Sequence, residues 1–70
     1  MPLSIAPLNE ELKIIKVLAK DKLKQHLADM GICVGEKITL LAKASGNIIC
    51  IVKEGRVAID QDLASKILVD

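Results

Sequence analysis

Seventy residues with 51% hydrophobic content and a net charge of +1 make one small globular domain, too apolar for disorder and too evenly charged for a typical nucleic-acid binder. Phe, Tyr and Trp are all absent, so the core must come from Ile, Leu, Val, Ala and Met. No aromatic platform exists for stacking bases, sugars or proline-rich peptides.

Met1 to Asn9 carries Pro2 and Pro7 and reads as an extended arm, pinned to the body or to a partner by Leu3, Ile5 and Leu8. Prolines and the polar Asn9, Glu10 and Glu11 interrupt any signal-like apolar run, and a soluble, cytoplasmic protein is expected. Glu11 to Leu18 mixes β-branched with polar residues, as a first strand does. Asp21 stands two residues before Leu23 and suits a helix N-cap. Leu23, Leu27 and Met30 fall at i, i+4 and i+7, the apolar face of a helix of about three turns. Gly31 fits the left-handed residue that ends such a helix. Gly35 follows four positions later, so two glycines bracket a tight helix-to-strand corner.

Glu36 to Ala44 alternates as a second strand, and Ser45-Gly46-Asn47 is a turn in which Gly46 supplies positive φ. Asn47 to Lys53 is the most apolar stretch and therefore an interior strand. Its run Ile48 to Val52 is far shorter than the ~18 residues that span a bilayer, so no membrane insertion is expected. Glu54-Gly55 makes a second hairpin turn, and Arg56 to Ile59 a fourth strand. Asp60 caps a short helical turn through Leu63 and Ala64, and Lys66 to Val69 closes the chain as a fifth strand.

Five short strands in residues 1–70 must curl on themselves, because an open sheet leaves one apolar face wet and two edges unpaired. The predicted fold is mainly β (a small α+β domain): an SH3-like, partly open β-barrel with one helix after the first strand, plugged by Leu23, Leu27 and Met30. An OB-fold is the rival, but it wants longer strands and loops.

Candidate chemistry is sparse. His26 is the only histidine, with Asp29 at i+3 and Cys33 beyond. They sketch a metal site, yet three or four converging ligands are the rule, and an exposed histidine is the plainer reading. Cys33 and Cys50 form no Cys-x-x-Cys and read as a reduced pair of small hydrophobes. Ser4, Thr39, Ser45 and Ser65 lie near no histidine, Asp60 and Asp62 read as a cap and its solvated neighbour, and no phosphate-cradling glycine loop occurs. No enzyme is expected. Lys13, Lys16, Lys20, Lys22 and Lys24 crowd together with only Asp21 among them, while Glu54, Asp60 and Asp62 weight the later part. The plain reading is a solvated basic face. Beside it, an apolar patch left uncovered by so small a core, from Leu3, Ile5, Leu41 or part of the Leu27/Met30 edge, makes a docking surface with the Lys20 to Lys24 segment.

The leader Pro2-Leu3 with Ala6-Pro7-Leu8 and the corner Leu27-x-x-Met30-Gly31-Ile32-x-x-Gly35-x-x-Ile38 carry a family likeness. So do Val57-Ala58-Ile59 and the closing Ala64-x-Lys66-Ile67-x-Val69. In this order the chain resembles FeoA-type proteins, cytoplasmic accessory subunits of bacterial ferrous-iron transport. The resemblance implies an SH3-like barrel and a role beside FeoB, a membrane permease with a cytosolic GTPase domain, by modulating its assembly or nucleotide cycle. It also raises transient binding of Fe²⁺ or another divalent metal, with no resident cofactor. Arg56, the only arginine, then has two readings: a finger stabilising charge on a phosphoryl group in transfer, or a hairpin residue covering strand surface with its stem. Two departures stand out. Ala44-Ser45-Gly46-Asn47 replaces the family's frequent Gly-Asp-Pro, and Asp60 follows Ile59 where an arginine is common.

A second class is an SH3-like metal-sensing or nucleic-acid-associated regulator domain. Absent aromatics and balanced charge speak against it. Self-association through exposed strand edges or domain swapping is a further property of thin barrels. Heparin chromatography separates the two classes: a phosphate-binding domain is retained and eluted by salt, whereas this chain is expected to pass unretained.

Overall fold

The computed structural model describes residues 1–53 and 55–70; Glu54, assigned above to the second hairpin turn, lies outside the described residues. Strands β1 (Glu11–Val17), β2 (Lys37–Ala44), β3 (Asn47–Val52), β4 (Gly55–Asp60) and β5 (Ile67–Val69) form one antiparallel sheet in the order β4-β3-β2-β1-β5. Helix α1 (Asp21–Asp29) joins β1 to β2, and α2 (Gln61–Ala64) joins β4 to β5. β4 and β5 do not pair, so the barrel is partly open. β3 is interior, as its apolar sequence demands.

β1 makes the curl. Its Glu11, Leu12 and Lys13 pair with Thr39, Ile38 and Lys37 of β2, while Ile14, Lys16 and Val17 pair with Val69, Leu68 and Ile67 of β5. The register shifts between Ile14 and Lys16. Unbroken alternation from Leu12 and Ile14 would aim Lys16 inward. One extra residue at Ile15 turns Lys16 out and Val17 in, and leaves Ile15 itself 50% exposed. A second shift in β2, between Leu40 and Ala42, sets Leu41 off the alternation. The β2–β3 turn holds Ser45 at φ 37° and Gly46 at φ 83°, the pair of positive values that matches the twist of a tight hairpin.

The core is purely aliphatic apart from the Cys50 thiol. Ile14, Leu27, Ile32, Ile38, Leu40, Ile48 and Ile67 are essentially without exposed surface, and Leu23 and Met30 pack against them half-buried. Asp60 caps α2 as expected, accepting from the Leu63 N–H at 2.7 Å. Asp21 does not cap α1. The N-cap is Lys20, without a side-chain hydrogen bond, and Asp21 is the first helical residue, where its charge still complements the helix dipole.

The leader is also not an extended arm. Leu3–Ile5 form a 3₁₀ turn, with Ile5 N–H to Pro2 C=O at 3.2 Å and Ala6 N–H to Leu3 C=O at 3.1 Å. Three residues per turn put Leu3 and Ala6 on one side, and both are buried in the core. Ile5 and Leu8, assigned above as further pins, are 67% and 46% exposed. Ahead of the turn, Val69 N–H donates to Met1 C=O at 2.7 Å and Pro2 bridges to Leu68, so the leader covers the outer edge of β5.

Leu3→Ala is therefore expected to lower unfolding free energy by about 2–5 kcal/mol, the cost of an aliphatic core truncation. Ile5→Ala should stay within about 0.5 kcal/mol. Urea titration of both variants checks this; equal midpoints would mean that the leader is only draped over the body.

Candidate functional site

Helix α1 ends where its sequence requires. The Gly31 N–H donates to Ala28 C=O at 2.9 Å and the Ile32 N–H to Leu27 C=O at 2.8 Å, with Gly31 at φ 90°. That pair of bonds is a Schellman stop, whose flanking residues are apolar. Here they are Leu27 and Ile32, both buried. The stop fixes which side of α1 faces the barrel and leaves a groove beside it. About 320 Å³ in volume, it is lined by Asp21, Lys24, Gln25 and Ala28 of one helix face, by Val17, and by Ile32 and Cys33.

The electrostatics of this helix start are unusual. Lys20, Lys22 and Lys24 stand exposed at its N-cap and first turn, where cations oppose the dipole by up to roughly 1 kcal/mol each. Only Asp21 offsets them. A second groove of about 370 Å³ lies across the sheet, lined by residues that include Glu11, Glu36, Lys37, Thr39 and Ile51. Its Lys37–Glu11 ion pair, at 3.5 Å with both side chains well exposed, contributes little.

The residues singled out by sequence are not all in one place. Lys20 and Lys24 share the first turn of α1, and Lys24 lines its groove. Met30 is half-buried at the helix end. Leu27 has no exposed surface: it anchors the helix in the core and offers nothing to a partner. Arg56 sits exposed on β4 opposite Ile51 and lines neither groove. Sequence reasoning missed an apolar pair. The loop before β2 runs along β1, with Ile14 N–H to Glu36 C=O at 2.9 Å and Gly35 N–H to Ile14 C=O at 2.8 Å. Val34, 56% exposed, precedes the Gly35 that bonds Ile14, and Ile15, 50% exposed, follows Ile14. The doublet Ile14-Ile15 in an otherwise alternating strand was the available signal.

Donor chemistry is dispersed. His26 is exposed, and the Asp29 carboxylate accepts from Gln25 Nε2 at 2.9 Å. Among the described residues no three His, Cys, Asp or Glu side chains converge. Asp21 and Cys33 share the α1 groove, two donors where zinc or ferrous sites use three or four. Cys50 is fully buried, and burial pushes its thiol up to about 11.

No helix among the described residues is long and apolar enough to cross a membrane. The family model for the FeoA domain matches residues 1–70. A Methanocaldococcus jannaschii protein named Fe(2+) transport protein A is 35% identical over 69 residues, 99% of this chain and 84% of its own length. The crystal structure of an iron uptake regulatory protein, FeoA, superposes with TM-score 0.88 at 28% identity, covering 99% of this chain and 93% of its own. Stenotrophomonas maltophilia FeoA complexed with zinc, described as a prokaryotic SH3 domain protein, gives TM-score 0.84 at 26% identity, covering 100% and 89%.

The two thiols should behave differently. In the native protein near neutral pH, a thiol reagent is expected to modify the half-buried Cys33 and to reach Cys50 only on unfolding. Cys50 keeps its proton in the folded state above the usual value of 9.0, up to about 11. The unfolded chain therefore binds fewer protons in that window, and stability falls as pH rises through it. Urea midpoints of wild type and Cys50→Ala between those pH values read the difference; parallel pH profiles would rule it out.

Proposed function

The chain belongs to the FeoA family of ferrous-iron transport accessory proteins, and we propose that it acts in the cytoplasm by docking on the cytosolic region of the permease FeoB, modulating its assembly or nucleotide cycle. The observation that carries this reading is the cationic start of α1 beside its groove. Three lysines there oppose the helix dipole and no side chain caps the helix. A local rule broken without an internal gain marks a surface used for something outside the fold. The groove beside it offers apolar Val17, Ala28 and Ile32 with polar Asp21, Lys24 and Gln25 at one face, which suits an acidic, apolar-tipped contact on a partner. Lys20 and Lys24 supply the charge and half-buried Met30 the apolar edge. Arg56 lies on β4, and its contact with the partner is a separate question.

An NMR titration of labelled protein with the cytosolic GTPase domain of FeoB tests this, without nucleotide, with GDP and with a non-hydrolysable GTP analogue. Shifts are expected to cluster on residues 20–30 and 32–33. Lys20→Glu with Lys24→Glu should weaken binding roughly tenfold at low salt. Absence of shifts in every nucleotide state overturns the docking. Arg56→Ala reads the finger separately: unchanged GTPase stimulation removes it from that role.

A further inference from the structure

The two edges of the sheet are treated differently. That of β5 is covered, because Met1 and Pro2 pair along it. That of β4 has no backbone partner among the described residues. Which groups it offers follows from register. Asn47 lies opposite Asp60, and the Gln61 N–H donates to Gly46 C=O at 2.8 Å, one residue beyond that pair on each strand. This is the pattern of a pair that exchanges no hydrogen bonds itself. Alternation then makes Ala58 and Arg56 members of the same class. Arg56, Ala58 and Asp60 therefore turn their N–H and C=O groups away from β3 to the open edge.

The side chains along this edge are self-complementary. Val57 and Ile59 face the core side, while Arg56, Ala58 and Asp60 lie on the outer side and are exposed. A two-fold axis through Ala58 pairs a second β4 antiparallel with each residue on its proper face. Ala58 then meets its own copy, and Val57 meets the partner's Ile59. Arg56 meets Asp60 of the partner subunit, and Asp60 meets the partner's Arg56. The outer face continues the match. Ala58 is opposite Ile49 of β3, which is 38% exposed, so an apolar row Ile49–Ala58 is doubled across the axis.

We propose that the open edge of β4 pairs with β4 of a second copy of this chain, in the register centred on Ala58, joining two five-stranded sheets into one. The pairing is isologous and closes at two subunits, because the edge that would propagate a fibre is already covered at β5. Short length and a charge on each side of the axis keep it reversible and confine it to this register. It uses no residue of α1 and stands apart from the docking reading.

Sedimentation velocity from micromolar to millimolar protein tests the proposal. Wild type is expected to dimerise with rising concentration. Arg56→Asp sets like charges opposite one another twice and should weaken the dimer roughly tenfold. Ala58→Pro removes an outward N–H without breaking the β3 ladder, and should do the same while circular dichroism stays native. Asp60→Arg is equally mismatched and also gives up the α2 cap, so it is used only once circular dichroism shows it native; mixed with Arg56→Asp it restores every opposite-charge pair and should restore a dimer. A monomer at all concentrations overturns the proposal. So does a dimer indifferent to Arg56→Asp and Ala58→Pro, or a mixture that stays monomeric. β4 amides protected from exchange only when a different protein is added would likewise overturn it, giving the edge to a strand of that protein.

Discussion

The bulge at Ile15 is the constraint on which the other elements depend. A strand of seven residues cannot serve two neighbours at opposite ends of a curled sheet unless it bends, and an extra residue bends it while advancing the side-chain phase by one. That phase change keeps Lys16 out of an otherwise uncharged core and brings Val17 in. With β1 bent, β2 and β5 sit on either side of it, α1 sets Leu27 into the core, α2 joins β4 to β5, and the leader finds the edge of β5. Removing the bulge would bury a lysine and strand a valine in water, a double penalty for a domain whose whole stability is a few kcal/mol.

Much of this was legible in the residues. The Leu23, Leu27 and Met30 spacing with Gly31 behind it specified α1 and its stop, because a period and a glycine at positive φ are local properties. The Ser45-Gly46 turn and the Asp60 cap were legible for the same reason. The leader was not. Two prolines suggested extension, but the leader turn that holds Leu3 packs on α2 and β5, some sixty residues away, and no local pattern encodes it. Asp21 was misplaced by a single residue as a cap, since aspartate suits both the cap and the first turn.

The site was less legible than the fold. Lys20 and Lys24 stand out as a charge cluster in any reading, and their conflict with the helix dipole becomes clear only once the helix start is fixed at Asp21. Leu27 was offered both as core and as contact; its full burial decides for core. Val34 and Ile15 lie far apart in sequence, and only the backbone hydrogen bonds between Ile14 and residues 35 and 36 bring their two stretches together, so their shared exposure could not be read from either stretch. Arg56 was legible as a lone arginine, but its partner across an axis is a matter of register alone.

A core without rings has a consequence for how such a sequence drifts. Aromatic side chains impose preferred stacking angles on their neighbours, whereas methyl-bearing chains ask mainly for volume and a permitted rotamer. Exchanges among Ile, Leu and Val that conserve volume commonly cost less than about 1.5 kcal/mol, so many such steps lie open one at a time. Substitutions can accumulate until little identity remains while the shape persists, as it does in the solved relatives. What such exchanges cannot replace is geometry rather than bulk: in this chain, the glycine at positive φ that stops α1.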